Sequence, residues 1–175
     1  MKEISIEGII LKSSPIFEND YRLEVLSKEK GRCSLLAKYA QSKKYRYKGH
    51  IEPFNHLQMI LFPGKSFWIL KEAHIETNTH HLRQSFNQLS IFSYCCDIIR
   101  KSTMEGQPNE PLFHLLKKAL IELKSSPPSE VQKEFETSFL NSEGLINHYH
   151  STHHSFQKQF ETYTNKHLQS PVLID

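Results

Sequence analysis

The sequence predicts an α+β protein, with a five-stranded β-barrel over residues 1–78 followed by an α-helical domain over residues 79–175. Two observations predict it. Apolar residues recur with period two up to about residue 78 and with a period near 3.6 beyond it, the repeats of a half-buried strand and of a helix face. The charge divides at the same place. Residues 1–78 carry 13 Lys and Arg against 9 Asp and Glu, whereas residues 79–175 carry 9 against 10.

Five strands are expected, at about 4–12, 20–28, 31–40, 50–62 and 67–77. Tyr21, Leu23 and Val25 alternate with Arg22 and Glu24, and Leu57, Met59 and Leu61 alternate with Gln58 and Ile60. In the last strand Phe67, Ile69, Ala73 and Ile75 share one parity, interrupted at Lys71. Such alternation turns one face to a core and one to water. Pro15, Asn19-Asp20, Glu29-Lys30-Gly31 and Pro63-Gly64 supply turn chemistry between the strands. Five strands in fewer than 80 residues, with one long polar loop, suit a small closed barrel of the OB type.

Four helical stripes follow. Leu82, Phe86, Leu89, Phe92, Cys96 and Ile99 form the first. Leu112, Leu115, Leu116, Ala119 and Leu123 form the second, with Asn109 as its cap and Pro111 in its first turn. Val131, Phe135 and Phe139 form the third, and Ser129 with Gln132 has capping-box spacing. Phe156, Phe160, Tyr163 and His167 form a short aromatic fourth. The phenylalanines at 86, 92, 113, 135, 139, 156 and 160 are read as core.

Composition excludes several classes. Hydrophobic residues are 38% and charged residues 23%, with a formal net charge of +3. That is enough apolar mass for a core, and it excludes a disordered charged tail. No segment approaches the roughly 20 apolar residues of a membrane span. The N-terminus lacks the pattern of a secretory signal. Three cysteines, two of them adjacent, do not make a disulfide framework. The expectation is a soluble, reduced, cytoplasmic protein.

The sharpest electrostatic feature is an acid-free stretch between Glu29 and Glu52. It holds Lys30, Arg32, Lys38, Lys43, Lys44, Arg46 and Lys48. Within it, residues 37–49 read AKYAQSKKYRYKG, where cations interleave with Tyr39, Tyr45 and Tyr47. Lys and Arg neutralise phosphates and release counterions. Tyrosine rings offer bases a stacking surface that ignores base identity. Arg32, Lys38, Tyr39, Lys43, Lys44, Tyr45, Arg46, Tyr47 and Lys48 are therefore the candidate nucleic-acid-binding residues. A solvated surface loop is the competing reading.

Other groupings carry less. His148, His150, His153 and His154 lie close together, and imidazole is a common zinc ligand, but no paired spacing falls clearly on a predicted helix, and no cysteine or carboxylate lies between 144 and 160. Cys95 and Cys96 fall mid-helix and read as core, and Cys33 as a buried strand residue. Glu18, Asp20 and Glu24 fit turn and strand-surface roles better than a metal nuclease. No catalytic, metal or cofactor site is expected.

The segments GIILKSSPIFENDYRLEVLSKEKGRCSLLAK, SKKYRYKGHIEPF and FWILKEAHIE resemble the N-terminal domain of the bacterial recombination mediator family RecO. The resemblance rests on Glu18-Asn19-Asp20 in the first turn, on Gly31-Arg32 opening the third strand, and on Glu52-Pro53-Phe54 after the basic loop, all in order. The helical half resembles the family more loosely, through Phe135-Glu136 and the closing FQKQFETYTNKHLQSPVLI. The resemblance implies an OB barrel followed by a helical domain, and a non-enzymatic factor of DNA repair and recombination in the RecF pathway. Such factors bind single- and double-stranded DNA and anneal complementary strands. They engage the C-terminal tail of single-stranded-DNA-binding protein and, with RecR, help load RecA. The implied location is the bacterial cytoplasm, at the nucleoid during repair. Two departures stand out. Tyr39 follows Lys38 where the family often has glycine. No cysteine lies between Leu145 and Phe156, where many relatives carry a four-cysteine zinc insertion, so a shortened member is expected. An OB-type RNA-binding module, and an interaction protein whose helical bundle docks peptides, remain alternatives.

Overall fold

The computed structural model describes residues 2–145 and 153–174, with 153–155 described as backbone alone. It divides into two compact units, Met1–Thr79 with Met104–Phe113, and His80–Thr103 with His114–Asp175.

The first unit is built on β1 (Ile4–Ile16), β2 (Asp20–Ser27), β3 (Gly31–Ala37), β4 (His56–Pro63) and β5 (Trp68–Thr77). They close into a barrel in the order β1-β2-β3-β5-β4, with β4 returning to β1. All neighbours are antiparallel except β3 and β5, whose parallel seam has two pairs, Leu35↔Trp68 and Leu36↔Ile69. This is the OB fold that the period-two half predicts. Ile6, Ile10, Leu23, Val25, Leu35, Leu57, Met59, Leu61 and Ala73 fill the interior. At ~25 cal/mol per Å² of apolar area removed from water, their burial is the main force closing the barrel.

Strand ends depart from expectation for identifiable reasons. β1 runs on through Pro15, which pairs with Tyr21. Beyond Ile9 it has no β4 partner, so a residue without an N–H is tolerated on that edge. β3 stops at Ala37 rather than residue 40, because Tyr39 takes φ 57 and leaves the ladder. β4 starts at His56 rather than residue 50. Before it, a chain of turn hydrogen bonds runs Ser42 N to Tyr39 O, Tyr45 N to Ser42 O, Lys48 N to Tyr45 O and His50 N to Tyr47 O. Phe54, at φ 72, precedes the strand. β5 does not keep one inward parity. Lys71 is an extra residue between the pairs Ile60↔Glu72 and Leu61↔Leu70, so Leu70 and Ala73 both point inward although they differ in parity, and Ile75 is exposed although it keeps the parity of Ala73.

The β2–β3 turn meets residues 104–108. Gly31 has φ 65, and a Cβ there would lie 1.8 Å from the Gln107 carbonyl oxygen. Gly106 N donates to Arg32 O at 2.8 Å, and Lys28 pairs with Glu110 at 3.4 Å.

The second unit contains α1 (His80–Gln84), α2 (Phe86–Ser102), most of α3 (Glu110–Glu122), α4 (Pro128–Ser142) and α5 (His153–Thr164). The first expected helix is two, because Ser85 is extended and caps α2 by accepting from Gln88 N. Phe86 is consequently exposed rather than core. Asn109 caps α3 through its side chain to Leu112 N at 3.1 Å. The capping box expected at Ser129 and Gln132 does not form. Pro127 is the N-cap, without a side-chain bond, and Gln132 donates instead to Glu136 at 2.9 Å. Tyr94 also donates to that Glu136 oxygen, at 2.8 Å, so a buried hydrogen-bonded carboxylate joins α2 to α4. Phe139 packs against Phe156 and Phe160, whose rings are stacked 5.9 Å apart. Tyr163 is exposed and His167 lies past the end of α5, so only part of the fourth stripe is core. Among the described residues no helix is long and apolar enough to cross a membrane.

Candidate nucleic-acid interface

The loop from Lys38 to Asn55 closes one end of the barrel. Ala40 and Ile51 are buried in the interior cluster, and Tyr45 and Tyr47 pack against it half-buried. Their rings meet edge to face at 6.0 Å, and Tyr47 meets His50 at 5.7 Å. Asn55 holds the far end of the loop, donating to Gly49 O and His50 O and accepting from Thr79. The interleaved sequence thus sorts by side. Lys38, Lys43, Lys44, Arg46 and Lys48 point to water while Tyr45 and Tyr47 plug the barrel.

Burial pushes the Tyr45 hydroxyl up to about 12, with Tyr47 adding to the shift, so the phenol stays neutral. That hydroxyl has no hydrogen-bond partner among the described residues. Arg46 lies 5.4 Å over the Tyr47 ring. Lys38, Lys43, Lys44 and Lys48 make no ion pair among the described residues, so their charge is uncompensated at short range. Tyr39 alone of the three loop tyrosines is a freely exposed ring. Its φ of 57 is a left-handed conformation that glycine would adopt at little cost and tyrosine does not favour. Arg32 is the candidate residue set apart. It opens β3, about 20 Å along the strand from Lys38, and pairs with Glu24 at 3.9 Å.

Apart from Arg32, residues on the outer face of β2 and β3 and in the β4–β5 loop were not among the candidates. Arg22 donates to the Ser34 hydroxyl at 2.9 Å and lies 5.7 Å over the Phe67 ring. Lys30 lies 4.6 Å over Trp68, the sole tryptophan. Lys30, Ser34, Lys65, Phe67 and Trp68, with Glu105 and Pro108, line a cleft of about 480 Å³. This is the face, with the adjoining loops, by which OB barrels take oligonucleotides. The available signal was parity. Arg22 and Ser34 stand on the outward register of paired strands, and a lone Trp follows Pro63-Gly64.

Two of the acidic residues near this face have structural partners. Asp20 accepts from Tyr39 N at 2.8 Å and Glu24 pairs with Arg32. The described residues contain no cluster of three His, Cys, Asp or Glu able to hold a metal. His148 and His150 lie outside the described residues, as do the side chains of His153 and His154. Cys33, Cys95 and Cys96 are buried free thiols.

Cations set beside aromatic rings make a surface suited to polyanions carrying π faces. Residues 1–78 match the family model for the Recombination protein O N terminal, and residues 83–167 that for its C terminal. The chain is similar to "DNA repair protein RecO" of Alkaliphilus metalliredigens, at 28% identity over 83% of this chain and 60% of that protein. It is similar to the protein of that name from Desulforamulus reducens, at 27% over 83% of this chain and 57% of that one. The protein of that name from Clostridium acetobutylicum is 31% identical over 61% of this chain and 43% of its own length. The chain therefore spans at most about six-tenths of the curated relatives it matches. With both halves matched in order on an OB barrel and a helical unit, the chain belongs to the RecO family.

Proposed function

We propose that this protein is a non-enzymatic DNA-binding recombination mediator. It binds single- and double-stranded DNA and anneals complementary strands. It acts with RecR to place RecA on DNA coated with single-stranded-DNA-binding protein, whose C-terminal tail it engages, at the nucleoid of the bacterial cytoplasm. The observation that carries the reading is the barrel-end loop, whose five outward cations between Lys38 and Lys48 lie in a stretch without one carboxylate. Family membership supports a role in repair and recombination.

Five phosphate contacts on a single strand predict a slope of about −3.5 in log K against log salt. Replacing Lys43, Lys44 and Arg46 by Glu is expected to flatten the slope to about −1.4 and to weaken binding on the order of 100-fold at low salt. Unchanged affinity in that variant would overturn the assignment. A strong preference for matched RNA over DNA would redirect it to an RNA-binding module. Trp68 serves as the reporter, since a strand crossing the outer face of β2 and β3 alters its fluorescence.

A further inference from the structure

The two most exposed large hydrophobic side chains among the described residues stand at one corner of the barrel. Phe17, in the β1–β2 turn, is 75% exposed, and Tyr39, just past β3, is 68% exposed. Both have left-handed backbones, φ 54 and φ 57, a region that costs a bulky L-residue free energy. The corner is nonetheless over-determined. Tyr39 N donates to the Asp20 carboxylate at 2.8 Å, and Gln41 N donates to Asn19 O at 3.0 Å. The Gln41 side chain donates to Phe17 O at 3.4 Å and to Asp20 O at 3.3 Å. These bonds lace the two segments together while both rings face water. Neither ring makes an aromatic or cation–π contact among the described residues. Lys38 adjoins Tyr39, and Lys43 and Lys44 follow in the turn chain that starts at Tyr39 O.

We propose that Phe17 and Tyr39 are a base-stacking pair that takes unpaired nucleobases from a strand whose phosphates run along the adjoining lysines. The inference rests on the nucleic-acid reading above and goes beyond it by supplying the preference for single strands. Bases in a duplex are already stacked on their neighbours, so only an unpaired base gains a face by docking on a ring. The strained corner is the kind of feature that persists where presentation of a side chain matters more than local stability.

The test uses the full chain with Phe17→Asn, Tyr39→Asn and the double variant, since asparagine accepts positive φ and spares the fold. Tyr39→Phe keeps the ring. The probes are an oligodeoxythymidine, the same strand carrying one 2-aminopurine, an abasic strand of equal length and a matched duplex. Each Asn variant is expected to lose about tenfold in affinity for the base-bearing strand and to lose 2-aminopurine quenching. Affinity for the abasic strand and the duplex, and the salt slope, are expected to stay at wild-type values, and Tyr39→Phe to behave as wild type. Wild-type affinity and quenching in the double variant, with the salt slope intact, overturns the stacking pair and leaves the cationic site standing. Equal losses on abasic and base-bearing strands overturn it as well. Absence of any salt-dependent binding by the wild type overturns the nucleic-acid reading itself.

Discussion

Tyr45 shows how one loop side chain serves the barrel. Its ring packs on the interior cluster while its hydroxyl is buried without a partner. An unsatisfied buried hydroxyl costs about 1–3 kcal/mol, part of which returns when the group is deleted. Tyr45→Phe is therefore expected to stabilise the barrel by up to about 1 kcal/mol, read by denaturant unfolding, and to leave DNA affinity unchanged. Destabilisation by that amount would mean that the hydroxyl has a partner in solution. Tyr39, two turns earlier in the same loop, has the opposite character, with an exposed ring on a strained backbone. Three tyrosines that look equivalent in AKYAQSKKYRYKG thus divide into two plugs and one free surface. Sequence spacing placed all three in the loop, but contacts with residues on other strands sort them.

At the scale of elements, the turn after α5 offers a pH-dependent test. Glu161 accepts from Leu168 N at 3.1 Å and from the His167 ring at 2.6 Å. The backbone bond, then the imidazole, hold its carboxyl below the usual carboxylate range. A carboxyl whose pKa falls on folding stabilises the folded turn above that range, and the contribution is lost as pH drops through the lowered value. Protection of the Leu168 amide, relative to its intrinsic exchange rate, is expected to fall on acidification. In Glu161→Gln it is expected to be weaker and flat with pH. A wild-type profile in that variant would show that the carboxylate does not hold the turn. Element boundaries follow the same logic. Asn109 caps α3 as its spacing indicates because a cap is a local bond. The break at Ser85 and the parity change at Lys71 are finer. In each case the apolar pattern reads across a position where one cap or one extra residue changes which face is inward.

At the scale of the molecule, the cysteines report on the two units separately. Burial first, then the Glu105 carboxylate, push the Cys33 thiol up to about 11, and burial raises Cys95 and Cys96 as well. Thiolates are the reactive form, so a thiol reagent near pH 8 is expected to leave all three unmodified in the folded protein. Labelling of the Cys33 peptide is expected only as the barrel unit melts, and of the Cys95–Cys96 peptide only as the helical unit does, resolved by mass spectrometry. Rapid native-state labelling at Cys33 would mean that β3 opens locally.

By itself the sequence determined the change from period two to period 3.6 near residue 78, the acid-free run from Lys30 to Lys48, and most turn and cap positions. These are properties of neighbouring residues, set by backbone sterics, side-chain alternation and charge. Tertiary structure alone decided that Tyr45 and Tyr47 close the barrel end and that β4 begins at His56. It also decided that Arg22, Lys30, Phe67 and Trp68 gather on the outer face of β2 and β3, and that Gln41 ties the turn of Phe17 to the segment that carries Tyr39. The physical reason is range. Periodicity reports which face of an element is apolar, whereas the partner of that face comes from a distant part of the chain when the barrel closes.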